Sequence, residues 1–175
     1  INRITRGQDG SIETPVPGLF VYCISKPDGP KHALQTPAFG LIAQGSKRVM
    51  VGDEIYVYDP MHYLVSSVDL PVCGQVRLTS ENEPYLGVRL DLSLDEIGDL
   101  IRDEKLPAKA NAPASRGVYV SRIAMPVLEP VLRLLRLLDT PEDIPIMAPM
   151  VKREIFYRLL VNGEGARLRQ IALQD

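Results

Sequence analysis

Between Leu19 and Leu92 the apolar positions fall in short runs, LFVYCI, FGLIA, KRVMV, EIYVY, HYLVS and YLGVRLDL, separated by Pro, Gly, Asp and Asn. The runs are rich in Val, Ile, Leu and Tyr, and most are too short for helices, so they predict strands. The sharpest local signal is KRVMV, then Gly52-Asp53, then EIYVY. A two-residue turn between runs of matched length predicts an antiparallel hairpin. Several such strands at regular spacing predict a closed barrel or sandwich. Ahead of them, residues 1–17 are polar with scattered Gly, Pro and Ser, and read as a mobile arm.

The period changes at Leu92. Ser93 with Glu96 three residues on is a capping box, and Leu94, Ile97, Leu100 and Ile101 follow at helical spacing. Residues 105–117 are small and polar and read as an exposed loop, with a brief strand from Val118 to Ile123 returning to the sheet. The remainder reads as helical. Leu128, Val131, Leu132, Leu135 and Leu138 recur at three and four. Thr140-Pro141-Glu142 reads as an N-cap, a proline and an acidic first turn. From Ile146, the residues Met147, Val151, Ile155 and Leu159 form one stripe, with Pro149 in the first turn and Gly163 as the stop. ARLRQIALQD starts a further helix. The expected layout is therefore α+β: an arm over 1–17, an antiparallel barrel over 18–123 with one inserted helix near 94–104, and an antiparallel helix pair over 124–175.

Composition narrows the function classes. The chain has 175 residues, 45% of them apolar, enough for one ordinary domain with a real core. No apolar run approaches the roughly 18 residues of a membrane-spanning helix. Twenty basic against 22 acidic side chains leave a net charge of −2, which gives no global field for nucleic acid or anionic lipid. Cys23 and Cys73 are too few for a disulfide-stapled scaffold and read as reduced thiols of a cytoplasmic protein. The chain opens on Ile1 and reads as a fragment of something longer. With only His32 and His62, one copy has no three-histidine metal site. Nucleotide, zinc and disulfide-exchange motifs are absent. The pairs Asp53-Glu54, Asp95-Glu96 and Asp103-Glu104 read as solvated turn and helix charges rather than acid–base partners. No catalytic residue, cofactor or metal is expected.

Three stretches carry a family resemblance: PAFGLIAQGSKRVMVGDEIYVYDPMHYLVSSVDLPV (37–72), EPYLGVRLDL (83–92) and PVLRLLRLLDTPEDIPIMAPMVKREIFYRLLVNGEGARLRQIA (130–172). Within them the Gln44-Gly45 turn, Tyr58-Asp59 before His62-Tyr63-Leu64, Leu70-Pro71, and Arg153-Glu154 before Tyr157-Arg158-Leu159-Leu160 fall in a characteristic order. In combination they resemble the regulatory domain of bacterial AraC-type transcription regulators, the subfamily catalogued as the AraC-type N-terminus. The resemblance implies a cupin-like barrel sensing a small organic effector, helices used for homodimerisation, and a following helix-turn-helix domain that binds DNA. That last domain is outside these residues, so DNA contact is expected only through it. Cupin-like barrels often hold a metal through two histidines flanking one residue. Here Leu64 stands at the second position, and leucine has no donor atom. An organic ligand or none is favoured over a metal.

On this resemblance the candidate ligand residues are Phe39, Tyr56, Tyr58, His62, Leu64 and Arg77, each with a plainer reading beside it. Tyr56 and Tyr58 share one strand face, either a pocket wall offering hydroxyls or the wet outer face. Arg77 and Arg89 alternate with apolar neighbours and are either outer-face charges or a carboxylate clamp in the barrel. His62 either meets a ligand or is satisfied at a strand end. Phe39 reads as core before pocket. Leu128, Leu132 and Leu135 are the expected dimer contacts, because Leu134 and Leu137 make the helix apolar on two sides. Two rival functions remain: a self-filled barrel that only dimerises, and, further off, a metal-dependent cupin enzyme.

Overall fold

The computed structural model describes residues 1–175 except 6, 28, 81, 105, 107–116, 163 and 173–175. The chain divides into two compact units, Ile1–Asp91 with Gly117–Ile123, and Leu92–Arg116 with Ala124–Asp175.

In the first unit, a short helix α1 (Asn2–Thr5) precedes ten strands: β1 (Gly10–Glu13), β2 (Leu19–Ile24), β3 (Lys31–Gln35), β4 (Ala38–Gln44), β5 (Ser46–Val51), β6 (Glu54–Tyr58), β7 (His62–Ser66), β8 (Leu70–Arg77), β9 (Tyr85–Asp91) and β10 (Val118–Arg122). Among the described residues they form a six-stranded sheet, β1-β2-β9-β4-β7-β10, and a four-stranded sheet, β3-β8-β5-β6. Every pairing is antiparallel. The expected hairpin is present: Val51 pairs with Glu54 across a turn whose Gly52 has φ +57°, a conformation suited to glycine. Alternation then fixes the faces. Ile42, Val49, Val51, Tyr58, Leu64, Val72, Tyr85 and Val118 point between the sheets as one buried cluster.

Three features depart from the sequence expectation. Residues 10–13, assigned to the arm, form β1 and pair with β2 from Gly10↔Cys23 to Glu13↔Phe20. Strand β3 was not among the expected runs. It is an edge strand whose mostly exposed KHALQ shows no apolar alternation. Strand β8 likewise hides its pattern behind Pro71 and Gly74.

The second unit contains α2 (Leu94–Asp103), α3 (Met125–Arg136), α4 (Ile144–Val161) and α5 (Gly165–Ala172). Helix α2 lies between β9 and β10 in sequence and packs on α4 and α5. Its cap is the expected one, with the Ser93 hydroxyl accepting from the Glu96 N–H at 3.3 Å. Helix α3 packs on α4. Arg133 pairs with Glu154 between them, and Arg153 reaches Asp103 at 3.0 Å. Thr140 does not cap an α-helix: Pro141–Asp143 is a 3-10 turn, and α4 starts at Ile144. Pro149 accordingly lies beyond the first turn of α4, where it removes one intrahelical bond. The stop expected at Gly163 and most of the loop expected over 105–117 lie outside the described residues.

The buried face of α3 is offset by one residue from expectation, whereas α4 buries the expected Val151, Ile155 and Leu159 and departs only at its start. Helix α3 buries Val127, Pro130, Val131 and Leu134, and α4 buries Ala148 where Met147 was expected. Both stripes satisfy three-four spacing, because a helix apolar on most sides offers more than one stripe to a periodicity argument. No helix of the described residues is long and apolar enough to cross a membrane.

Candidate functional site

The two sheets of the first unit enclose a cavity of about 480 Å³. It exists because several inward positions carry almost no side chain: Ala33 on β3, Ala38 and Gly40 on β4, and Gly74 on β8. Its walls are Val49, Tyr58, Leu64, Val72 and Tyr85. A Cβ built at Gly40 would lie 3.1 Å from the Tyr58 hydroxyl, and one at Gly87 would lie 2.8 Å from the Tyr85 hydroxyl. The phenol ends thus rest against bare backbone, and a side chain at either glycine would push a ring into the open space. Strand β1 closes part of the rim through Asp9, Gly10 and Ser11, opposite Lys26, Pro27 and Gly29. The Ser25 N–H donates to Asp9 Oδ1 at 2.6 Å, which ties the lead-in of β1 to the end of β2.

Two cations face this space. Lys47 pairs with Val76 of β8, an inward position, and its stem crosses Gly74, where a Cβ would lie 3.4 Å from Cε. Burial, then the nearby Arg89 guanidinium, hold the Lys47 ammonium below the ordinary lysine value. Arg89 pairs with Gly40 on β4 and with Phe20 on β2, and its guanidinium stands 5.7 Å from the Phe20 ring centroid. Its Nη2 donates to Thr36 Oγ1 at 2.6 Å and lies 2.8 Å from Asp91 Oδ1, while its Nε is buried without a partner.

The tyrosines are held neutral. Burial, then repulsion from Tyr22, raises Tyr58 far above the ordinary phenol value, against the opposing effect of a hydrogen bond from Tyr85. Burial first, then repulsion from Tyr58 and Tyr22 and the same hydrogen bond, raises Tyr85. Both therefore offer protonated hydroxyls. Apolar walls with a few placed polar groups are the chemistry of a small-molecule site. Among the described residues no group of three His, Cys, Asp and Glu side chains comes together.

Of the expected ligand residues, Tyr58 and Leu64 line the cavity. Tyr56 is on the same face and packs against the buried cluster, but it does not line the cavity, and its hydroxyl donates to Glu54 Oε2 at 2.5 Å. Phe39 does not reach the cavity. It lies on the opposite face of the six-stranded sheet, fully buried, 5.5 Å from the Tyr63 ring. Arg77 is also on the wrong side: it pairs with Ser46 and is exposed on the outer face beside Arg48, Ile55 and Val57. Arg89 is the inward arginine. His62 sits at the start of β7 and turns toward a local partner, its Nδ1 2.8 Å from Asp59 Oδ1, which also accepts the Met61 N–H at 2.9 Å. In the second unit, Leu132 is 39% exposed, and Leu128 and Leu135 are half-buried.

Lys47, Tyr22 and Tyr85 were not anticipated from sequence. Lys47 opens the run KRVMV and looks like a solvent-facing flank. The available signal was alternation, since Lys47, Val49 and Val51 share a face and the hairpin pairs Lys47 with Tyr58.

Solved structures share this fold at low identity. The AraC-like transcriptional activator CuxR matches 94% of this chain and 62% of its own, at 12% identity and a TM-score of 0.50. ToxT from Vibrio cholerae strain SCE256, in its unsaturated fatty acid-bound form, matches 81% and 52%, at 11% identity and a TM-score of 0.53. Such likeness establishes the architecture, a cupin-like antiparallel β-sandwich with C-terminal helices. The chain spans between half and two thirds of the length of these two proteins. No curated protein matches it in sequence. The model of the AraC-type transcriptional regulator N-terminus matches residues 15–167, and the chain belongs to that family.

Proposed function

We propose that this chain is the effector-sensing and dimerisation domain of a cytoplasmic AraC-family transcription factor, with DNA bound by a helix-turn-helix domain outside these residues. The observation that carries the reading is the hollow interior: small inward residues leave about 480 Å³ that the protein's own side chains do not fill. This favours a small organic effector over a self-filled barrel. The fatty acid held by ToxT supports a small-molecule site in a protein of this fold. Because Asp9, Gly10 and Ser11 line the rim, an occupant biases the pairing of β1, and that bias is the differential affinity a switch requires. Leu128, Leu132 and Leu135 supply the apolar surface for a two-fold contact with a second copy.

Native mass spectrometry of the chain purified from its host tests both parts. The expected species is a dimer of 19.4 kDa subunits carrying a stoichiometric organic mass that leaves on denaturation. Val72→Phe, which fills the cavity, is expected to abolish the adduct, and Leu132→Glu to give a folded monomer. An adduct that persists in Val72→Phe places the effector elsewhere. A dimer that persists in Leu132→Glu moves the interface off α3.

A further inference from the structure

The Lys47 ammonium faces an enclosed, largely apolar space, and among the described residues no hydrogen bond or ion pair engages it. An uncompensated charge in such a place is costly, and a methionine would fill the same path over Gly74 without that cost. The nearest strongly charged neighbour makes matters worse, since Arg89 is also a cation. Arg89 is itself half-compensated: Asp91 and Thr36 both engage Nη2, which leaves Nε buried and unpartnered. Of the two cations that face the interior, Arg89 is set against Asp91, which leaves the Lys47 charge unanswered.

We infer that the occupant of this cavity is a small organic acid bound as its monoanion, the acidic head between the Lys47 ammonium and the Arg89 guanidinium and the apolar body against Val49, Leu64 and Val72. The inference rests on the effector reading above and adds the chemical class. A neutral ligand leaves the Lys47 charge unanswered, and a cation adds to it. An anion gains charge-assisted hydrogen bonds in a site shielded from water, where they are stronger than at a surface. The Tyr58 and Tyr85 hydroxyls are protonated and add no negative charge to oppose it.

A matched pair of fluorescent probes tests this on the intact chain: anilinonaphthalene sulfonate and phenylnaphthylamine, the same ring system with and without the anionic group. The sulfonate is expected to bind once per chain and at least about tenfold more tightly than the neutral probe. Lys47→Met is expected to lower the sulfonate affinity by at least about tenfold while leaving the neutral probe within about twofold, and Arg89→Gln to weaken the sulfonate further. The wild-type comparison requires no variant to fold. Equal affinity for the two probes, both abolished by Val72→Phe, overturns the anion class and leaves an effector cavity standing. No binding of either probe at one per chain overturns both readings.

Discussion

The two faces of the six-stranded sheet are built from alternate residues of the same strands, yet one is closed and the other hollow. On the closed face Phe39, Tyr63, Val65 and Leu90 are 0–1% exposed, and the Tyr63 ring contacts those of Phe39 and Tyr119. On the other face the neighbours of those residues are Ala38, Gly40, Leu64 and Arg89, and they leave a cavity. Composition alone does not separate the faces. Residue size and charge at alternate positions do.

Truncation distinguishes the faces most sharply. Phe39→Ala opens a void in a filled layer and is expected to cost about 3–5 kcal/mol in chemical denaturation. Leu64→Ala enlarges a space already present and is expected to cost less, about 2 kcal/mol. Equal losses would mean that the cavity collapses in solution. A charge swap gives the next effect, with opposite sign. Because the Lys47 pKa is lowered in the fold, the unfolded chain binds more protons between the folded value and 10.5, and the charged Lys47 opposes folding at all pH below that window. Lys47→Met should raise stability at pH 7, with the gain shrinking as pH rises toward 10.5. A pH-independent difference would place the ammonium in water. The smallest effect lies outside the cavity. The hydrogen bond from His62, then that from the Met61 N–H, lowers the Asp59 carboxyl, so this contribution is present above the ordinary carboxyl range and is lost as pH falls through the folded value. In His62→Ala the Asp59 resonance should titrate closer to 3.8 by NMR, with ligand binding unchanged.

Much of the fold is local chemistry and so is visible along the chain. Gly52 makes its turn, Ser93 caps its helix, and the brief strand after the 105–117 region pairs with β7. The edge strands β1 and β3 are different. GSIE and KHALQ hold their places by pairing with β2 and β8, and neither needs an apolar run to do so. The site was half legible for a related reason. The sequence brings out the shared face of Tyr56 and Tyr58, but only pairing with β5 reveals that it points inward. Arg77 and Arg89 are equivalent in their local patterns, and partner registers alone turn one outward and one inward. A slip of one residue inverts every such assignment, so faces are a property of the sheet and not of the strand.

Gly40 and Gly87 carry a consequence for how this pocket changes over generations. Each supports a tyrosine hydroxyl, at positions where a Cβ would come within 3.1 Å and 2.8 Å. Glycine has no smaller replacement, so any substitution at these two sites displaces a ring toward the interior. Drift there proceeds in one direction, toward a narrower chamber. Any enlargement of the chamber is therefore left to its walls, at Val49, Leu64 or Val72.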